Sequence, residues 1–374
     1  MRLRADTSTL DHHWNRKQER DQTVNPRAVR STVGDLWRSA CARVFGSAIV
    51  LAYHRVADLS CDPQCLAVDV AHFDEQMRLI SEAFTIVSAS DLLELVAKRK
   101  RLPKRSVVVT IDDGYCDTLH NAKPVLAAHS VPATVFVSSD YVGADREFWW
   151  DEIERVVLHA AALPSGIQVA IGDATYRTRI EPDASSAAES VEPLDGWDIR
   201  MPPVNERQRV YLELRESMLR LSPADRDAAL GSLRAQFGVA PFVRPTHRPL
   251  SVYELRDLAS SGLIEIGAHT RSHQMLSARS AAEQREEVLG SKRALEEMLG
   301  GPVRLFSYPY GDVDAFTALS ERTVRDAGLF GAFTTRFGMT LPWTDRFAVP
   351  RCPSENVRGQ EFVKRIDRWF EMAR

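Results

Sequence analysis

Short β-branched runs alternate with helical patterns across about 300 residues of this chain, and no other feature narrows its possible folds as much. The runs are AIVLAY (48–53), FTIVS (84–88), VVVTI (107–111), ATVFVS (133–138), LIEIG (263–267), VRLFSY (303–308), GAFTT (331–335) and FAVP (347–350). They are near-continuously apolar, as strands buried on both faces should be. Amphipathic patterns lie between most of them. DVAHFDEQMRLISEA places Phe73, Met77 and Ile80 on one face, and SARSAAEQREEVLGSKRALEEMLGG closes on Gly300, Gly301 and Pro302. Such alternation argues for a parallel sheet. Many strands without a Gly-rich phosphate fingerprint favour a barrel over an open dinucleotide-binding sheet.

Two regions stand outside this rhythm. Residues 1–44 are polar and weakly periodic, and a partly helical arm is expected there. Residues 161–249 begin with a Ser/Ala/Pro/Asp-rich stretch and continue with two helical patterns, NERQRVYLELRESMLRL and PADRDAALGSLRAQFG. They read as a small helical subdomain inserted into a barrel spanning 45–374. Net charge is −3, and no basic stripe with interleaved aromatics is present. Nucleic acid is therefore not an expected partner. No run approaches the roughly 18 apolar residues of a membrane span, and the N-terminus carries no apolar signal-peptide core. A cytoplasmic location without a transmembrane segment is the expectation. The five cysteines are scattered, and Cys61 and Cys65 read as two free thiols in a loop.

The polar residues carry the functional signal. His54 ends the first run, Asp112 and Asp113 end VVVTI, and GAHTRSH after LIEIG supplies His269 and His273. Tyr310 follows VRLFSY, and Arg351 follows FAVP. In a parallel barrel the C-terminal strand ends form one rim, and that rim holds the active site. Two His one turn apart with a carboxylate leave a divalent metal an open position. Zinc is the first expectation, with cobalt, nickel or iron as alternatives. Two adjacent Asp then divide the labour, one binding the ion and the other accepting a proton from water.

TIDDGY, GAHTRSH and FSYPYG, in that order, resemble the polysaccharide deacetylases of the NodB-homology type (carbohydrate esterase family 4), over about residues 47–355 apart from the insertion. The resemblance implies an α/β fold, a distorted (β/α) barrel of TIM-like kind with about seven strands. It implies hydrolytic removal of N-acetyl groups from a glycan or glycan precursor, with one divalent ion. By position, Asp112 would be the base, and Asp113, His269 and His273 the metal ligands. Tyr310 would lie in the loop whose backbone N–H holds the oxyanion, and Pro309 and Tyr115 would line the substrate site. Two departures from the family pattern matter. Ser307 stands where the family carries an Arg that orients the base, and Arg351 is the candidate substitute. No His follows His273, so His54 is the candidate general acid, as in the branch with that acid on an N-terminal strand. Trp149 and Trp150 are candidates for stacking on a sugar ring. An O-acetyl esterase, a small-amide deacylase on the same site, and an inactive glycan-binding barrel are the competing readings.

Overall fold

The computed structural model describes residues 44–180 and 196–372. The arm expected over 1–44 lies outside them but for Val44, as do residues 181–195 of the expected insertion. Seven parallel strands make the barrel. They are β1 (Ala48–Tyr53), β2 (Ser106–Ile111), β3 (Ala133–Val137), β4 (Ile264–Ala268), β5 (Leu305–Ser307), β6 (Gly331–Phe333) and β7 (Cys352–Pro353). Their order around the sheet is β6-β5-β4-β3-β2-β1-β7, and every pairing along it is parallel. All residues of β1 and β2 are buried, which accounts for their unbroken apolar character. The helical layer covers the outer face. In α1 (Val70–Ala83), Asp69 caps the N-terminus by accepting from the His72 N–H at 2.7 Å, and Phe73, Met77 and Ile80 turn inward. In α2 (Ala89–Ala97), Ser88 plays the same capping part. Fully burying each such apolar side chain contributes roughly 1.5–3 kcal/mol.

The FTIVS run pairs only through Thr85–Ile86, as a short spur on β2. The last strand also differs from expectation. FAVP is not a continuous strand: Val349 bridges to Phe333 of β6, whereas the residues paired with β1 are Cys352 and Pro353. Pro350 has no N–H to give a ladder, so the chain crosses from one neighbour to the other there. The Val349 N–H donates to Ala332 O, and two residues on the Arg351 N–H donates to Arg336 O. Segment 349–353 thus joins the two edges of the curled sheet, with Arg351 at the crossing.

After β3 the chain enters α3 (Trp149–Val157), an antiparallel hairpin (Gly166–Ile171 with Ala174–Arg179), α4 (Glu206–Met218) and α5 (Pro223–Phe237). These pack on one another through a second apolar cluster that includes Ile153, Tyr211, Leu214 and Leu233. Among the described residues no helix is long and apolar enough to cross a membrane.

Candidate active site

The strand β2 delivers Asp112 and Asp113 at its end, and the turn that follows is left-handed. Asp113 has φ +74° and Gly114 φ +94°. A Cβ on Gly114 would also come within 2.9 Å of Val137 Cγ1, so both conformation and space require glycine there. Thr270, His273 and Tyr310 are left-handed too. Such residues cost about 1–3 kcal/mol each and persist where the surroundings enforce them, commonly at functional sites.

Asp112 is buried and clamped. Arg351 Nη1 donates to its Oδ1 at 2.8 Å and Nη2 to its Oδ2 at 2.6 Å. The guanidinium is itself held by Thr334 O (2.9 Å), Thr110 Oγ1 (3.0 Å) and Ser307 Oγ (2.8 Å). Ser307 Oγ also reaches Asp112 Oδ2 at 3.3 Å. Burial pushes the Asp112 carboxyl up, but the Arg351 charge, with smaller contributions from His269 and His54, holds it well below the usual carboxylate range. Asp112 is therefore ionised at neutral pH.

Asp113, His269 and His273 converge beside it. One donor atom from each lies within 4.8 Å of the other two. His273 Nε2 is 3.2 Å and His269 Nε2 3.6 Å from Asp113 Oδ1. Neither contact has hydrogen-bond geometry, and among the described residues buried Asp113 Oδ1 has no donor. His269 Nδ1 lies 2.8 Å from Ser307 O, and since a carbonyl can only accept, Nδ1 carries the proton. Its Nε2 lone pair is thereby turned toward Asp113, the orientation a metal ligand needs. Burial pushes His269 down to about 4, so the ring is neutral at pH 7. An orphaned carboxylate oxygen and a neutral imidazole aimed at one point fit a divalent cation.

His54, directly after β1, is partly exposed, and its charge contributes to lowering both carboxyls. Tyr310 packs its ring 4.9 Å from that of His273, and among the described residues no acceptor takes its backbone N–H. Pro309 is buried beside it. The aromatic candidates for sugar stacking need correction. Trp149, Trp150 and Tyr115 are 2%, 3% and 0% exposed and belong to the second apolar cluster. Trp150 Nε1 donates to Tyr115 Oη (2.7 Å), and Tyr115 Oη donates to Asp151 Oδ2 (2.6 Å). The Trp150 ring lies 4.6 Å from that of His273. These rings form the floor under the histidine, because α3 runs directly beneath the rim and buries its first turn. Sequence reasoning passed over Thr110, whose one signal is that it is the only polar residue of VVVTI.

The polysaccharide deacetylase family model matches residues 99–162 and 241–329, and the unmatched stretch between holds the hairpin, α4 and α5. Over these segments, which make up less than half of its length, the chain resembles that family. Among curated proteins it is similar to YxkH of Bacillus subtilis (strain 168), whose own polysaccharide deacetylase designation is provisional. That match is 21% identical over 117 residues, covering 31% of this chain and 40% of the relative, so less than half the relative's length is spanned. Two solved structures share the fold with a TM-score of 0.52. One is the Streptococcus pyogenes deacetylase PplD in complex with acetate, 13% identical, covering 85% of this chain and 97% of that one. The other is IcaB from Ammonifex degensii, 18% identical, covering 87% and 97%. A polysaccharide deacetylase from Bacillus cereus follows at 0.51, with 17% identity over 86% of this chain and 69% of that one.

Proposed function

We propose that this chain is a metal-dependent hydrolase that removes N-acetyl groups from an N-acetylhexosamine-containing glycan or glycan precursor. The observation that carries the reading is one ionised carboxylate, Asp112, held by Arg351 beside a separate donor set of Asp113, His269 and His273. The match to the polysaccharide deacetylase model and the deacetylases among the similar structures support deacetylation as the reaction class. Asp113, His269 and His273 would hold the ion, zinc first by the chemistry of an N/N/O donor set. When bound, such an ion polarises the acyl oxygen and lowers the pKa of water.

The protein's own groups divide the remaining work. Asp112 accepts the proton of the attacking water. Arg351 positions it and keeps it ionised. The Tyr310 backbone N–H donates to the developing oxyanion, a contact worth about 3–4 kcal/mol in the transition state. His54, which is partly exposed, protonates the departing amine. The products are acetate and a free amino sugar. The test is acetate release from N-acetylated chito-oligosaccharides and poly-N-acetylglucosamine, beside an O-acetylated glycan, for wild type and Asp112→Asn. Release from the N-acetyl substrates by wild type alone supports the reading. Release only from the O-acetyl substrate makes the protein an esterase, and undiminished release by Asp112→Asn removes Asp112 as the base.

A further inference from the structure

Beneath the floor of the candidate active site lies a second convergence of metal-type donors. Asp151 and Glu154 stand one turn apart on α3, and His247 comes from the short turn Pro245–His247. One donor atom of each lies within 4.8 Å of the other two. Cys61, in the loop between β1 and α1, meets Glu154 and His159 within the same limit. Cys61, Asp151, Glu154 and His247 together face a cavity of about 10 Å³, room for about one water or one ion.

Three properties point beyond ordinary packing. First, His247 is only 5% exposed, yet among the described residues its Nε2 has no hydrogen-bond partner. Its Nδ1 is occupied by Thr246 Oγ1 at 2.9 Å. Thr246 Oγ1 can accept from Nδ1, which leaves the Nε2 lone pair facing the cavity. Second, the charges do not balance. The charged residues lining the cavity are Asp62, Asp151, Glu154 and Arg55, an excess of two negative charges. Arg55 also pairs with Asp117, Arg155 pairs with Glu147, and Arg244 bonds both Glu147 and Glu154, so five carboxyls face three guanidinium groups and the excess of two persists. Uncompensated buried charge is costly. A divalent cation supplies the missing charge. Third, an imidazole nitrogen, two carboxylates and a thiol suit zinc better than calcium or magnesium.

We propose that His247, Asp151 and Glu154, with the Cys61 sulfur as fourth donor, form a second metal site for a zinc-class divalent ion, distinct from the Asp113–His269–His273 set. Binding displaces the thiol and carboxyl protons to solvent. The ion ties the loop around Cys61 and the turn at His247 to α3. Asp151 also accepts from Tyr115, which accepts from Trp150 under the His273 ring, so the site braces that floor.

The test is zinc stoichiometry by equilibrium dialysis on the full chain, read by plasma mass spectrometry. Wild type is expected to hold about two ions. Asp113→Asn/His269→Ala, which dismantles the first site, is expected to keep about one. Adding His247→Gln to that double variant should remove it. Adding Cys61→Ser instead, a milder change, should weaken the remaining affinity at least tenfold. A double variant that binds no zinc overturns the proposal, as does binding indifferent to His247→Gln. If His247→Gln fails to fold by circular dichroism, Cys61→Ser decides, and unchanged affinity there overturns it.

Discussion

Replacing Arg351 with Met removes the only guanidinium bonded to Asp112 among the described residues and leaves a buried carboxylate whose main compensation is gone. Breaking one partner of a buried, hydrogen-bonded ion pair costs about 3–5 kcal/mol. That is a loss of two to three and a half decades in the folded-to-unfolded ratio, from a total of about 5–15 kcal/mol for a typical protein. The cost should depend on pH in a defined sense. In the wild type the Asp112 pKa is depressed on folding, so its stabilisation is present above the unfolded value of about 3.9 and fades as pH falls through it. Without Arg351, burial dominates and the folded pKa rises above the unfolded one. The penalty then grows as pH rises between the two. The gap between wild type and Arg351→Met is therefore full at pH 7 and narrows toward pH 4.5. Urea unfolding in chelator, at pH 7 and pH 4.5, reads both quantities. Asp112→Asn/Arg351→Met should recover part of the loss at pH 7, since it removes the stranded charge. A gap below 1 kcal/mol at pH 7, or one unchanged at pH 4.5, refutes the reasoning.

Three further outcomes are expected. Asp112→Asn should lose at least 10³-fold in acetate release while its zinc content, measured by mass spectrometry, stays at the wild-type level. His54→Gln should lower kcat by about 10²–10⁴ in the acetate-release assay, with stability in urea within 1 kcal/mol of wild type. Gly114→Ala should cost about 1–3 kcal/mol in the same unfolding assay, because it imposes a left-handed φ and a 2.9 Å contact with Val137. A neutral Gly114→Ala would mean that the turn relaxes.

What the sequence made legible was whatever follows from periodicity and strand ends. AIVLAY and VVVTI are strands because six consecutive buried residues need that composition. The carboxylates and histidines meet because parallel strands point one way. FAVP misled because Pro350 interrupts its ladder, a consequence of pairing rather than of composition. Trp149 and Trp150 invited a surface role, yet adjacent aromatics on the first turn of a helix under the rim are core by position. Asp151, Glu154, His247 and Cys61 were illegible as a group. They come from three distant segments with no shared spacing, and the pair on α3 is indistinguishable from ordinary N-terminal acids until the fold brings His247 to it.

The crossing of segment 349–353 between β6 and β1 has a kinetic meaning. The first and last strands of the ring are neighbours, so closing it is the most non-local event in the fold and the one most burdened by loop entropy. The same residue that marks the crossing neutralises Asp112. Until that strand docks, the carboxylate is either hydrated or protonated, and the half-formed barrel retains an electrostatic reason to stay open. Ring closure and the clamping of Asp112 therefore go together, and if they come late in folding, substitutions at Arg351 are expected to speed unfolding far more than they slow folding.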